Sequence, residues 1–189
     1  MKTWLIAVCL LIAVNLPNAT SGQSSAAQTS IVCGEAALPA PVNELLRVKF
    51  AGWRRQQLSD LYEDDQKLWT NSHPKECPGF ALGHFESADS LSYAVLLLPN
   101  SAQQSGYTIL VFSRGMNADV YTWRLLEHGE GKDSFAPVIY NIRPGKYKGF
   151  DETKSVHIKL DGVGVEWIEK SAFIDYWWEG RYHKIWTSD

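Results

Sequence analysis

The chain has 189 residues, is 45% apolar and carries a formal net charge of −3, which fits one domain large enough to bury a core. So mild an acidity, with no basic stripe, argues against a nucleic-acid binder and offers no polybasic patch to anionic lipid. No apolar run reaches the roughly 18–20 residues that a membrane helix needs.

The first segment reads as a secretory signal peptide over residues 1–22. Lys2 supplies a short positive start and Trp4 to Leu16 an uncharged apolar run. Pro17 and Asn18 then break the run, and Ala19-Thr20-Ser21 offers small residues for cleavage. An uncleaved anchor is the competing reading, disfavoured by the length of the run. The protein is therefore expected to be secreted or periplasmic, with no membrane attachment after cleavage. Loss of Lys2 moves the net charge from −3 to −4. Cys9 leaves with the signal, so Cys33 and Cys77 remain as an even pair in an oxidising compartment. A disulfide between them closes a long loop, worth about 4 kcal/mol in the chain-entropy account. A metal site of Cys33, His73 and Cys77 is the alternative. Structural zinc favours tighter spacings and four ligands, so no metal is expected.

Gly22 to Ser30, "GQSSAAQTS", is small and polar. Residues 23–37 read as a flexible linker, ahead of a single domain over 38–189. Pro39 and Pro41 set an extended approach. Leu45, Leu46 and Phe50 then recur at helical spacing along a short helix from Val42 to Phe50, ended by Gly52. "WRRQQLSDL" reads as a strand or an extended link. A second short helix falls within "SDLYEDDQKLWTNSHP". Asp60 or Asp64 is placed at its start, where carboxylates meet unpaired N–H groups, and Leu68 and Trp69 are expected to face the core.

From Cys77 onward the chain turns strand-rich. "YAVLLLP" and "YTILVF" flank the turn-rich "NSAQQSG", and "VYTWRLL" and "APVIYNI" are divided by the polar loop "EHGEGKDS". "RPGKYKGFDETKS" carries a Pro-Gly turn signal. "VHIKL", "VGVEWIE", "SAFIDYWW" and "RYHKIW" read as a meander, with Asp161-Gly162 and Glu179-Gly180 where hairpin turns need positive φ. A two-residue turn at Glu179-Gly180 pairs Trp178 with Arg181, Trp177 with Tyr182, Tyr176 with His183 and Asp175 with Lys184. Opposite charges then face each other at Asp175 and Lys184, and Arg181 is placed for a cation–π contact with Trp178. Such pairs contribute roughly 0.2–1 kcal/mol each. The expected fold is α+β: two short N-terminal helices packed on a mainly antiparallel β-sheet that ends in a β-meander.

The segment "CPGFALGHFESADSLSYAVLL" resembles one repeat of FG-GAP-type, integrin-like proteins, through Gly83, Phe85, Tyr93, Ala94 and the aliphatic run from Val95. That resemblance implies a strand, an acidic calcium loop and a second strand. The loop positions here hold His84, Glu86, Ala88 and Ser92, with Asp89 displaced. Calcium takes about six or more oxygens, so the loop reads as metal-free. One segment of this kind falls short of the at least four blades that a propeller needs. Together with the closing "YWWEGRYHKIWTSD", the hairpin is also similar to small exported bacterial proteins to which no activity attaches.

Catalytic constellations are not legible. G-x-S-x-G and H-E-x-x-H are absent, and His73, His84, His128, His157 and His183 show no paired spacing. Asp64-Asp65 and Asp151-Glu152 read as solvated loop charge rather than as acid–base pairs. Tryptophan is the feature above background: Trp53, Trp69, Trp123, Trp167, Trp177, Trp178 and Trp186 remain after signal removal. On a strand, neighbours such as Trp177 and Trp178 point to opposite faces. The reading is an exported, non-enzymatic binding or interaction module without a cofactor, meeting an unidentified protein or glycan partner. Its candidate surface is Tyr176, Trp178, Arg181 and His183, since exposed aromatics concentrate at binding surfaces. A secreted hydrolase acting on cell-wall or glycan material through carboxylates is the rival. A third reading is an inhibitor of a hydrolase that presents "EHGEGKDS".

Overall fold

A computed structural model describes residues 38–101, 104–115, 120–130 and 136–189, all of which fall in one unit, Ile31–Asp189. The expected signal peptide, the linker over 23–37 and Cys33 lie outside the described residues.

Helix α1, Ala40–Lys49, starts two residues before the expected position and takes Pro41 into its first turn. A proline there is harmless, because that N–H has no helical partner to lose. Arg47 and Lys49 occupy the last turn, where positive charge suits the dipole. Strand β1, Trp53–Arg55, leads into a single 3-10 turn, Leu58–Asp60, and then helix α2, Glu63–Ser72. Asp64 does lie in the first turn of α2, with Glu63 and Asp65, but the N-cap is Tyr62 and Asp60 stands outside the helix. Asp60 Oδ2 instead accepts the Gln57 N–H at 2.7 Å within the 3-10 turn, and both its oxygens take the Arg54 guanidinium at 2.6 and 2.7 Å. Trp69 is buried and its indole N–H donates to the Glu76 carbonyl at 3.1 Å. Leu68 is left 37% exposed, because consecutive helical residues lie about 100° apart and so narrow a contact holds only one of them.

The rest is antiparallel strand: β2 Phe80–Ser87, β3 Ser90–Pro99, β4 Gly106–Arg114, β5 Tyr121–Glu130, β6 Val138–Ile142, β7 Gly145–Lys148, β8 Ser155–Ile158, β9 Gly162–Trp167, β10 Ser171–Trp178 and β11 Arg181–Ser188. The described chain is thus mostly antiparallel sheet with few helices, compatible with α+β. The strands divide between two sheets and a ribbon. The first sheet runs β1-β3-β4-β5, with β2 also on β3; the second runs β11-β10-β9-β6; β7 and β8 pair with each other.

Strand burial explains the division. β3 and β4 are apolar at successive positions, so both of their faces need cover. Ala94, Leu96, Ile109 and Val111 face the second sheet and meet Ile139, Val163, Val165 and Phe173 there. Val95, Leu97, Leu110 and Phe112 face the opposite way, onto Leu38, Val42, Leu45, Leu46 and Phe50 of the α1 region. The second sheet is covered outside in turn: Ile174 and Ile185 pack on Tyr147, Val156 and Ile158 of the β7–β8 ribbon. The layers are helix, sheet, sheet and ribbon.

Two expected boundaries change. β5 runs on through Glu127 to Glu130, the first half of the expected "EHGEGKDS" loop, because it stays paired with β4 as far as Gly106↔Glu130. Residues 131–135 lie outside the described residues. Asp161-Gly162 is not a hairpin turn either. β8 pairs with β7, whereas β9 pairs with β6 and β10. Asp161 is buried, and its Oδ2 accepts the His84 N–H at 2.8 Å. Positive φ falls at Glu169, between β9 and β10, and at Glu179 and Gly180.

Candidate functional site

The last hairpin has the expected register throughout its turn end: Trp178↔Arg181, Trp177↔Tyr182, Tyr176↔His183 and Asp175↔Lys184. Glu179 (φ 48°) and Gly180 (φ 81°) form the two-residue turn, the conformation that matches strand twist. Alternation then sorts the side chains onto two faces.

One face looks toward the first sheet. It carries Phe173, Asp175 and Trp177 on β10, with Tyr182 and Lys184 opposite. Arg124 of β5 lies over the Trp177 ring at 5.0 Å and pairs with Glu86 of β2 at 3.2 Å. Glu86 belongs to the segment that resembles a calcium loop; here its carboxylate serves an ion pair between strands. Lys184 bonds the Glu127 carboxylate of β5 and lies 3.7 Å over the Phe173 ring. The expected Asp175–Lys184 juxtaposition is therefore present, but the bond of Lys184 goes to Glu127. Asp175 is only 3% exposed, and its Oδ2 has no hydrogen-bond partner. Burial pushes its carboxyl up to about 7; Lys184 opposes this and Glu127 adds to it. Tyr182 is half-buried, with its phenol pushed up by desolvation and by the Glu86 carboxylate beside it. An acid whose free oxygen is sealed from solvent cannot touch a substrate in this conformation, so its high affinity for a proton does not make Asp175 a catalytic acid.

The other face holds all four residues expected to bind. Tyr176 and His183 stack at 5.8 Å. Arg181 donates from Nε to His183 Nε2 at 3.2 Å, which fixes the guanidinium beside the imidazole. The cation over Trp178 is Lys159, 4.6 Å from the ring centroid, so the expected Arg181–Trp178 contact is replaced by one from the segment after β8. Trp178 is 38% exposed. The four residues do not share one degree of exposure: Tyr176 is half-buried against Ile174 and Ile185, while Trp178 and Arg181 are exposed. The two adjacent indoles do part as expected, Trp177 to the interior and Trp178 to the outside.

The ribbon extends this outer face. Along β7 and β8, burial alternates so that Tyr147, Val156 and Ile158 point in, while Lys146, Lys148 and His157 point out. Lys159 and Arg181 are thus the cations placed at Trp178, while Lys148 of the ribbon pairs with Glu152 at 4.0 Å. Arg181 is legible in the sequence as the strand partner of Trp178, whereas Lys159 reaches that ring from the segment after β8 and only the fold brings the two together.

The other expectations resolve locally. His73 stacks on the Trp69 ring at 4.1 Å. Asp64 pairs with Lys67 at 3.3 Å, and Asp151 Oδ1 accepts the Thr153 N–H at 3.1 Å. Among the described residues no three His, Cys, Asp or Glu side chains converge as metal ligands. Cys77 is buried; its expected partner Cys33 lies outside the described residues. No protein-family model, curated protein or solved structure matches this chain.

Proposed function

We propose that this is an exported binding module that holds an anionic glycan against the outer face of its last hairpin. The observation that carries this reading is the exposed Trp178, capped by Lys159 and flanked by Arg181 and His183. Rings of this kind offer an apolar surface to the C–H faces of sugars, and adjacent cations suit carboxylate or phosphate groups. Charge complementarity favours an acidic glycan over a neutral one. Export rests on the signal-like first 22 residues, and it puts glycans within reach.

The test is cosedimentation or calorimetry at low salt with polygalacturonate, using dextran as the neutral control and single-stranded DNA as the other polyanion. Polygalacturonate is expected to bind and dextran not. Trp178→Ala and Lys159→Ala should each weaken binding about tenfold, since a central aromatic contributes on the order of 1.4 kcal/mol or more. Their melting temperatures should stay close to wild type, because both side chains lie outside the core. Equal binding to dextran, tighter binding to DNA, or unchanged affinity in both variants contradicts the reading.

Export also implies the Cys33–Cys77 bridge. The secreted form should gain alkyl groups on both cysteines after reduction and on neither before it, by intact mass. Alkylation without reductant contradicts the bridge.

A further inference from the structure

β5 is the last strand of the first sheet, and among the described residues no strand pairs with its other edge. It runs from Tyr121 to Glu130, and the unpaired N–H and C=O groups along so long an edge are a template for another strand. Natural edges are commonly guarded by lysine or proline; β5 has neither. Instead Trp123 and Leu125 lie 44% and 57% exposed, on the face where Phe50 of the α1 region meets the Trp123 ring at 5.2 Å. The one irregularity of the strand sets what it can pair with. Leu126 is the extra residue of a β-bulge, since Leu125 pairs with Leu110 and Glu127 with Ile109. Arg124 and Glu127, three positions apart, therefore share a face: they lie opposite Val111 and Ile109, both of which look toward the second sheet. Trp123 and His128 share the other face, opposite Phe112 and Thr108.

We infer that β5 pairs with the β5 strand of a second copy of this chain, antiparallel about a two-fold axis beside Leu125 and Leu126. In that register Arg124 faces the partner's Glu127 and Trp123 faces the partner's His128, and the symmetry makes each contact twice. Opposite charges then meet on one face and ring meets ring on the other, as stabilising cross-strand pairs require. Arg124 already holds Glu86, and Glu127 holds Lys184, so the pairing joins two ion pairs into a row of alternating charge. A parallel copy in register would set Arg124 on Arg124 and Glu127 on Glu127. An extended peptide of unrelated sequence would not carry the matching charges. The edge is separate from the outer face of the last hairpin, and the inference does not depend on the glycan reading.

Sedimentation equilibrium of the full secreted chain tests the pairing. Wild type is expected to pass from monomer to dimer as its concentration rises through the micromolar range. Arg124→Glu and Glu127→Arg each set like charges opposite one another twice, and each should weaken the dimer about tenfold or more. In an equimolar mixture of these two variants every such contact joins opposite charges again, so the dimer should return as a heterodimer. Trp123→Lys, at an exposed position, should also weaken the dimer while keeping the fold, and it decides the matter by itself if either charge variant fails to fold. Trp178→Ala should leave dimerisation unchanged. A wild type that stays monomeric, a dimer indifferent to Trp123→Lys, or folded charge variants that do not recombine on mixing overturn the inference.

Discussion

Asp175→Asn should make the protein more stable above pH 7 and leave it nearly unchanged near pH 4. The carboxyl is sealed between the sheets, with its Oδ2 unpartnered. Burial raises it from an ordinary 3.8 to about 7, with Lys184 pulling down and Glu127 pushing up. Below the unfolded value both states hold the proton, and the residue costs nothing. As pH rises from about 4 to about 7 the unfolded chain ionises first, so unfolding releases a proton and stability falls. Above about 7 both states are charged and the full cost is present. At about 1.4 kcal/mol per tenfold change in proton affinity, the cost is on the order of 4 kcal/mol. Asparagine has the same shape and no charge to desolvate. Urea melts of wild type and variant at pH 4.5, 6 and 8 measure this directly. The difference should open with rising pH and close at the acidic end. A variant less stable than wild type at pH 8 would mean that the ionised carboxylate is paired after all.

Phe85→Ala carries the second large effect, a loss of about 3–5 kcal/mol. Phe85 is fully buried where β2 departs from regular pairing with β3, between Gly83 and Ser87. It fills the space between the sheets, beside Ala81, Ile139 and Val163. Glycine at position 83 is part of the same arrangement: a Cβ there would lie 2.3 Å from Asn141 Nδ2 and 2.7 Å from the Phe85 ring. That close approach lets Asn141 donate to the Leu82 carbonyl at 2.9 Å. The melting temperature should drop by about 10 °C or more, whereas Leu82→Ala, at an exposed neighbour, should cost less than about 1 kcal/mol. A Phe85→Ala variant within about 1 kcal/mol of wild type would refute face-to-face packing of the sheets at this position.

Gly83 and Phe85, which carry the resemblance to a calcium-loop repeat, have a packing role in this fold. The shared glycine and aromatic serve hairpin packing in this chain, and Glu86 is committed to Arg124. The last hairpin was legible because turn chemistry, charge pairing and alternation agreed on one register. That register already placed Asp175 on the same face as Trp177, since the two are separated by two positions on one strand. That this face is interior is a matter of tertiary packing. Sequence could not show it, because the covering groups Arg124 and Glu127 come from β5, about fifty residues earlier. The same limit explains Asp161, which looked like a turn residue beside Gly162 and instead ties β2 to the second sheet through His84.

The proposed glycan contact rests on Trp178, with Lys159 over its ring. Intrinsic fluorescence titrated with polygalacturonate at low salt tests it most directly, comparing wild type with Trp178→Phe and with Trp177→Phe. Quenching that persists in Trp177→Phe and vanishes in Trp178→Phe is the predicted result. Quenching that survives in Trp178→Phe at wild-type amplitude and midpoint would contradict it.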